Sequence, residues 1–241
     1  MILQADARHI PLADGSVHMI VTSPPYWNAR EYSSWLTYGG YLEDMDHAWR
    51  ECFRVLCDGG RIAVNVAHGY GRPSTTGYLP ISDDLARGLV AHGLELRGHV
   101  VWCKIGAVSG TAWGSWLSAT NPSLRDGHEV IIVAHKGSAE RAGGISTIDR
   151  ETFLSATRSV WNIPATSGWH PAPFPAEIPR RLIELYTFKG DVVLDPFSGS
   201  GTTARVAEEC GRRGIGLELN WDYARRSVDR LPQLRLLETP A

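Results

Sequence analysis

Absences narrow the reading first. No apolar run in the 241 residues approaches the roughly 20 needed to cross a bilayer. The opening MILQADARHI also lacks the basic-then-apolar layout of a secretion signal. We therefore expect a cytoplasmic protein with no membrane partner. Cysteine is scarce: Cys52, Cys57, Cys103 and Cys210 stand apart, with no C-x-x-C pair. That spacing argues against a zinc ribbon or a disulfide framework, suits a reducing compartment, and leaves no metal site expected. Lysine occurs only at Lys104, Lys136 and Lys189, so the cations are nearly all arginine. A basic excess is missing too. The formal net charge is −2, so no global field attracts a polyanion, and any contact with nucleic acid must use a local basic cleft.

What is present suits one large α/β unit. Hydrophobic residues make up 43% and charged residues 21%, enough to bury a full core. Strand-like runs alternate with helix-like ones, the pattern of a mostly parallel sheet covered by helices. Strands are expected at 17–22, 61–67, 94–103, 129–135, 191–195 and 214–219. Helices are expected at 43–56, 81–93, 178–188, 202–210 and 221–231, with Ser82 and Thr202 as capping residues. Three stretches resist this pattern: the polar loop 69–80, the Gly/Ser/Trp-rich segment 106–127, and 137–175, which mixes Gly, Ser, Thr and Pro with Trp161 and Trp169. Loops this long are usually functional or mobile.

Two motifs carry chemistry. Asp195-Pro196-Phe197-Ser198-Gly199-Ser200-Gly201-Thr202-Thr203 follows a strand and opens a helix. Glycines there let a ligand approach the backbone at a helix N-terminus. The lysine of a phosphate-binding P-loop is missing, which disfavours nucleoside triphosphates. The next strand ends in Glu218, an acid placed to hold a ribose diol; by itself it reads equally as a solvated strand-end charge. The second motif, Thr22-Ser23-Pro24-Pro25-Tyr26-Trp27, ends strand 17–22. Two prolines fix φ twice and remove two N–H donors, so carbonyls rather than amides face outward. An amino group with two hydrogens needs such acceptors, and Ser23 Oγ with the Pro24 carbonyl supplies a pair. Tyr26 offers a flat face for a base. The bland alternative is a Pro-Pro loop with a surface aromatic.

Together, D-P-F-S-G-S-G-T-T and T-S-P-P-Y-W resemble the cofactor and catalytic motifs of the amino-group DNA methyltransferases. With the catalytic motif first and the cofactor motif last, the order resembles that family's permuted β class. H-P-A-P-F-P at 170–175 resembles the segment that helps enclose the methionine part of the cofactor, with His170 and Phe174 as its contacts. Gly216–Asn220 resembles the ribose-binding motif, Asp6 sits where the family contacts the adenine amino group, and 128–133 resembles a late strand of the sheet. The resemblance implies a Rossmann-like S-adenosylmethionine-dependent methyltransferase fold. Its sheet would be mostly parallel and seven-stranded, with helices on both faces, in one catalytic domain over 1–241. It implies S-adenosyl-L-methionine as cofactor, held by Asp6, Asp195, Phe197, Ser198, Gly199, Ser200, Gly201, Thr202, Glu218 and Leu219. Ser23, Pro24, Pro25 and Tyr26 would form the catalytic turn, with double-stranded DNA as partner and a cognate restriction endonuclease as candidate companion. The permuted order also requires the closing helix to lead in space to a first strand near Ile2–Gln4.

The implied reaction is methylation of an extruded base at an exocyclic amino group. Methylation at cytosine C5 would need a cysteine that, in that family, follows proline; none of the four does. Within the amino-group family, serine at the first motif position goes mainly with cytosine N4 and aspartate with adenine N6, so Ser23 favours cytosine N4. Adenine N6 is the alternative, and an inactive regulator that binds cofactor and DNA is the alternative of another class. Target recognition falls to 105–127 and 137–169, outside the shared core. Trp113, Trp116, Asn121, Arg125, Arg141, Arg150 and Arg158 are the candidate base or phosphate contacts, with Arg72 in reach of a phosphate. Segments this short imply a short recognition site, or a homodimer pooling two surfaces.

Overall fold

A computed structural model describes residues 1–27, 35–69, 77–105, 114–124, 126–166, 175–230 and 236–238. Among these, apolar runs bounded by turns form nine strands of one sheet. They are β1 (Ile2–Gln4), β2 (Val17–Thr22), β3 (Leu56–Ala67), β4 (Leu94–Ile105), β5 (His128–Lys136), β6 (Val160–Pro164), β7 (Val192–Asp195), β8 (Arg213–Glu218) and β9 (Leu236–Glu238). The helices are α1 (Tyr38–Val55), α2 (Ile81–Ala91), α3 (Arg150–Ala156), α4 (Glu177–Tyr186), α5 (Thr202–Glu209) and α6 (Trp221–Arg230). Across the sheet the order is β6-β4-β5-β3-β2-β7-β8-β1-β9. Pairing is parallel except where β5 runs against β3 and β4.

Inner strands are apolar on both faces, as a doubly covered sheet requires. Alternation decides which side chain goes where. Ile20, Ile62, Val64, Ile132 and Leu194 share a core with Met45 and Trp49 of α1 and Leu85 and Leu89 of α2. Met19, Val21, Ala63, Ile131, Val133 and Val193 share the opposite core with Ile178 and Leu182 of α4 and Val206 of α5. The mostly parallel sheet with helices on both faces is thus present, but two strands wider than the seven expected. Short strands β6 and β9 extend its edges.

β6 and α3 lie within 137–169, where composition reads as loop. Trp161 and Ile163, 1% and 5% exposed, alternate with exposed neighbours along β6 and bury its inner face. The Trp102 indole donates to the Ile163 carbonyl at 2.8 Å and locks the edge.

The capping expectations fail for local reasons. The helix α2 begins two residues earlier than a Ser82 cap requires, at buried Ile81, so its N-cap is Pro80. Ser82 then falls inside the first turn, where its hydroxyl donates to the His68 carbonyl at 3.0 Å. At α5 the N-cap is Gly201, left-handed at φ 77°, and Thr202 is the first helical residue, 3.0 Å from the Ser200 hydroxyl. A cap that sequence did not single out starts α1, where Thr37 accepts from the Gly40 amide at 3.0 Å.

The closing helix does lead to the first strand. α6 buries Ala224 beside Ile2, and β9 then pairs in parallel with β1, Leu236 beside Ile2. Among the described residues, no helix is long and apolar enough to cross a membrane.

Candidate active site

The chain leaves β2 for β3 on one side and leaves β7 for β8 on the other, while β2 and β7 pair in parallel through Met19–Val193 and Ile20–Leu194. Where connections diverge in this way, a crevice opens beyond the carboxyl ends of the strands. Both sequence motifs begin at those ends. Between them they line a cavity of about 860 Å³.

One joint ties the two motifs together. The Thr22 hydroxyl donates to Asp195 Oδ1 at 2.7 Å. Asp195 is 1% exposed and also accepts from the Phe197 amide at 3.1 Å. Burial raises its carboxyl to about 6, against the pull of these donors. Asp195 therefore sits behind the cavity wall and fastens the two turns. Gly201 is likewise off the wall, its amide turned back to the Ser198 carbonyl at 2.8 Å.

The half of the cavity over β7, β8 and β1 is lined by Phe197, Ser198, Gly199, Ser200, Thr202, Glu218, Leu219 and Asp6, all expected from the sequence. Two glycines of β8 make room for it. A Cβ at Gly214 would collide with the Ala204 backbone, and one at Gly216 with the Ser198 hydroxyl, so glycine there lets α5 and the 196–199 turn press onto the strand. Glu218 accepts from the Gly199 amide and the Asn220 amide, each at 2.9 Å. Burial pushes its carboxyl up to about 7, in spite of those bonds. Asp6 behaves oppositely. Burial acts to raise it, but the Arg8 guanidinium, at 2.7 Å, leaves it below the usual range. Arg8 also donates to Asp44 at 2.8 Å, and Trp35 closes that cluster with its indole on Asp44, also at 2.8 Å.

The other half, over β3, β5 and β4, holds Ser23, Pro24, Pro25 and Tyr26 together with residues the motif reading did not include. The Tyr26 hydroxyl donates to Glu129 Oε2 at 3.0 Å and lies 3.4 Å from Ser23 Oγ. Asn65 Nδ2 donates to the same carboxylate oxygen at 2.6 Å, and Lys104 Nζ to its other oxygen at 2.6 Å. Burial, then the nearby Glu129 charge, pushes the Tyr26 phenol well above its ordinary range. Asn65 and Glu129 were visible as polar residues inside otherwise apolar strands, a pattern that marks a bonded or functional group.

The remaining expected residues are scattered. His170 and Phe174 lie outside the described residues, as do Trp113, Arg125 and Arg72. Trp116 and Asn121 are exposed on a turn closed by the Ser115 amide on the Asn121 carbonyl at 2.9 Å. Arg150 and Arg158 are exposed at either end of α3. Arg141 is engaged within the fold. It pairs with Asp191 before β7, at the end of the sheet away from the cavity, and lies over Phe188.

Comparison with known proteins agrees with this geometry. Residues 17–229 match the DNA methylase family of N6/N4 type. The Type II methyltransferase M.XycI of Xanthomonas campestris pv. cyanopsidis is 31% identical over 263 residues, covering 91% of this chain and 83% of that protein. M.Cfr9I of Citrobacter freundii, also a Type II methyltransferase, is 31% identical with the same coverage. Among solved structures, TTHA0409 of Thermus thermophilus, determined in complex with S-adenosyl-L-methionine, superposes with a TM-score of 0.84 at 29% identity, over 100% of this chain and 98% of that one. The cytosine-N4-specific PvuII DNA methyltransferase has the same fold, with a TM-score of 0.74 at 21% identity, over 95% of this chain and 85% of that one.

Proposed function

This chain belongs to the amino-group DNA methyltransferase family, and on that premise we propose that it methylates the N4 amino group of a cytosine extruded from duplex DNA. The cofactor is S-adenosyl-L-methionine. The cavity half over β7, β8 and β1 fits that group: a turn with left-handed Gly199 and Gly201 admits close backbone approach, and Glu218 and Asp6 supply acceptors among apolar neighbours. Glu218 would hold the ribose hydroxyls, Asp6 the adenine amino group, and the 197–200 turn the length of the molecule. When bound, the cofactor supplies an electrophilic sulfonium methyl.

The chain's own residues do the rest. A base amino group is a weak nucleophile because its lone pair is delocalised into the ring. Ser23 Oγ and the Pro24 carbonyl accept its two N–H bonds, favour a more pyramidal nitrogen, and stabilise the positive charge that develops on it. Tyr26, its hydroxyl fixed by Glu129, stacks on the base and orients the nitrogen for in-line attack. No covalent intermediate is needed. The observation that carries the cytosine assignment is Ser23 heading this turn on the cavity wall. The Type II methyltransferase relatives favour a restriction–modification setting with a short DNA site.

The test is direct. Duplex DNA incubated with protein and cofactor, digested to nucleosides and weighed by mass spectrometry should yield N4-methylcytosine. N6-methyladenine would overturn the choice of base, and no methylated nucleoside would overturn the activity.

A further inference from the structure

Resting on the amino-group methyltransferase reading, we propose that Lys104 reads the target base, donating a hydrogen bond to the ring nitrogen beside the amino group while Glu129 positions it. Cytosine presents an NH2 donor next to a ring-nitrogen acceptor on its pairing edge, and adenine does the same. The Pro24 carbonyl can only accept, and the Ser23 hydroxyl, 3.4 Å from the Tyr26 oxygen whose own proton goes to Glu129, turns its proton that way and accepts from the base. A base held by them alone would keep its ring nitrogen desolvated and unpaired, which is costly. The pocket needs a donor next to the acceptors.

Most N–H and O–H groups in that half of the cavity are already engaged. Asn65 Nδ2 donates to Glu129 at 2.6 Å and lies 3.4 Å from the Tyr26 hydroxyl. The Tyr26 hydroxyl donates to Glu129 at 3.0 Å, and the Trp102 indole to the Ile163 carbonyl at 2.8 Å. Lys104 differs. Its ammonium carries three protons and gives one to Glu129 Oε1 at 2.6 Å. It lies 5.2 Å from the centre of the Trp102 ring, and its side chain is 27% exposed. The other cation on the described wall, Arg8, belongs to the cofactor half and is engaged by Asp6 and Asp44.

Charge explains why the lysine comes with a carboxylate. A bare ammonium near a sulfonium methyl donor would oppose both cofactor binding and the positive charge developing on the nitrogen. Glu129, whose side chain is 10% exposed, neutralises it and leaves its N–H groups to point at a neutral acceptor. The same donor opposes thymine, which carries N–H where cytosine carries a bare ring nitrogen. Lys104 therefore enforces the choice of an amino-bearing base.

Unmethylated phage and plasmid duplexes serve as substrate, with isothermal titration of S-adenosyl-L-methionine run in parallel. The substitution Lys104→Met should lower kcat/KM for DNA at least tenfold and leave the cofactor Kd within twofold. Lys104→Arg, which keeps the charge and the donors, should recover most of the loss. Wild-type turnover in Lys104→Met overturns the proposal, and so does equal loss of cofactor affinity, which would mean a structural role. Mass spectrometry of the wild-type product separates the two readings. A methylated amino base with Lys104→Met unaffected sinks this proposal alone, whereas no methylated base from the wild type sinks the parent reading and this one with it.

Discussion

At the scale of single residues, Glu218 joins chemistry to pH. Its oxygens each accept one backbone amide at 2.9 Å, and burial raises its carboxyl to about 7. Only the ionised form keeps its full set of acceptor sites for a ribose diol. Cofactor affinity should therefore tighten between pH 6 and 8. The substitution Glu218→Gln should flatten that dependence and weaken binding roughly 10- to 100-fold at pH 8, the range for hydrogen bonds to a charged group. Calorimetric titration across pH checks both. The sign for stability is opposite. Asp195 is raised from 3.8 to about 6 and Glu218 from 4.5 to about 7, so at these two carboxyls the folded protein without cofactor holds more protons than the unfolded chain. Below pH 4 this difference favours folding in full, and it is lost as pH rises through 6 and 7. Urea melts across that range should show midpoints falling, and cofactor binding at neutral pH offsets the loss.

At the scale of elements, the segment 138–147 runs along the amino-terminal end of the sheet, away from the cavity. The Ala139 carbonyl accepts from Arg61 at 2.7 Å, and Thr147 accepts from Arg212 at 2.6 Å. Arg141 completes this attachment through Asp191. Their side chains are 16% and 10% exposed, so breaking the pair leaves a buried carboxylate without its cation. Arg141→Met should destabilise the protein by about 3 kcal/mol and leave DNA affinity unchanged; weaker DNA binding at unchanged stability would restore Arg141 as a contact. Arginine patterning could not separate these roles, because a guanidinium suits phosphate and carboxylate alike. The strands and helices of the central sheet were legible because burial on two faces imposes long apolar runs and helical spacing. β6 was not, because its alternation spans only five residues, with Trp161 and Ile163 as its two buried positions. The motif residues were legible because each motif is contiguous. Asn65 and Glu129 showed only as polar residues within apolar strands, and their meeting with Lys104 was not legible, because the three come together only when β5 runs antiparallel between β3 and β4. Asp195 shows the reverse case: its place in the motif reads as ligand binding, while its bond to Thr22 makes it a joint.

At the scale of the whole molecule, β1 lies between β8 and β9, and its neighbours come from the far end of the chain. Leu236 pairs beside Ile2 and Glu238 beside Gln4, so a short flexible linker of about eight residues would bridge the ends. A circular permutant joined there and opened at the exposed 142–143 position should fold and bind S-adenosyl-L-methionine within a few-fold of the wild type. A thermal melt and a cofactor titration test it; loss of both would show that chain order matters to the sheet.

The position of β1 has a further consequence during synthesis. The first four residues leave the ribosome early, but their partner Gly216–Glu218 is translated about 10–40 s later at ordinary elongation rates. A nascent or prematurely released chain therefore carries the acceptor turn after β2 without the wall that would hold the methyl donor. The cavity is thus expected to bind the methyl donor only after residues 213–218 have been made and have paired with β1.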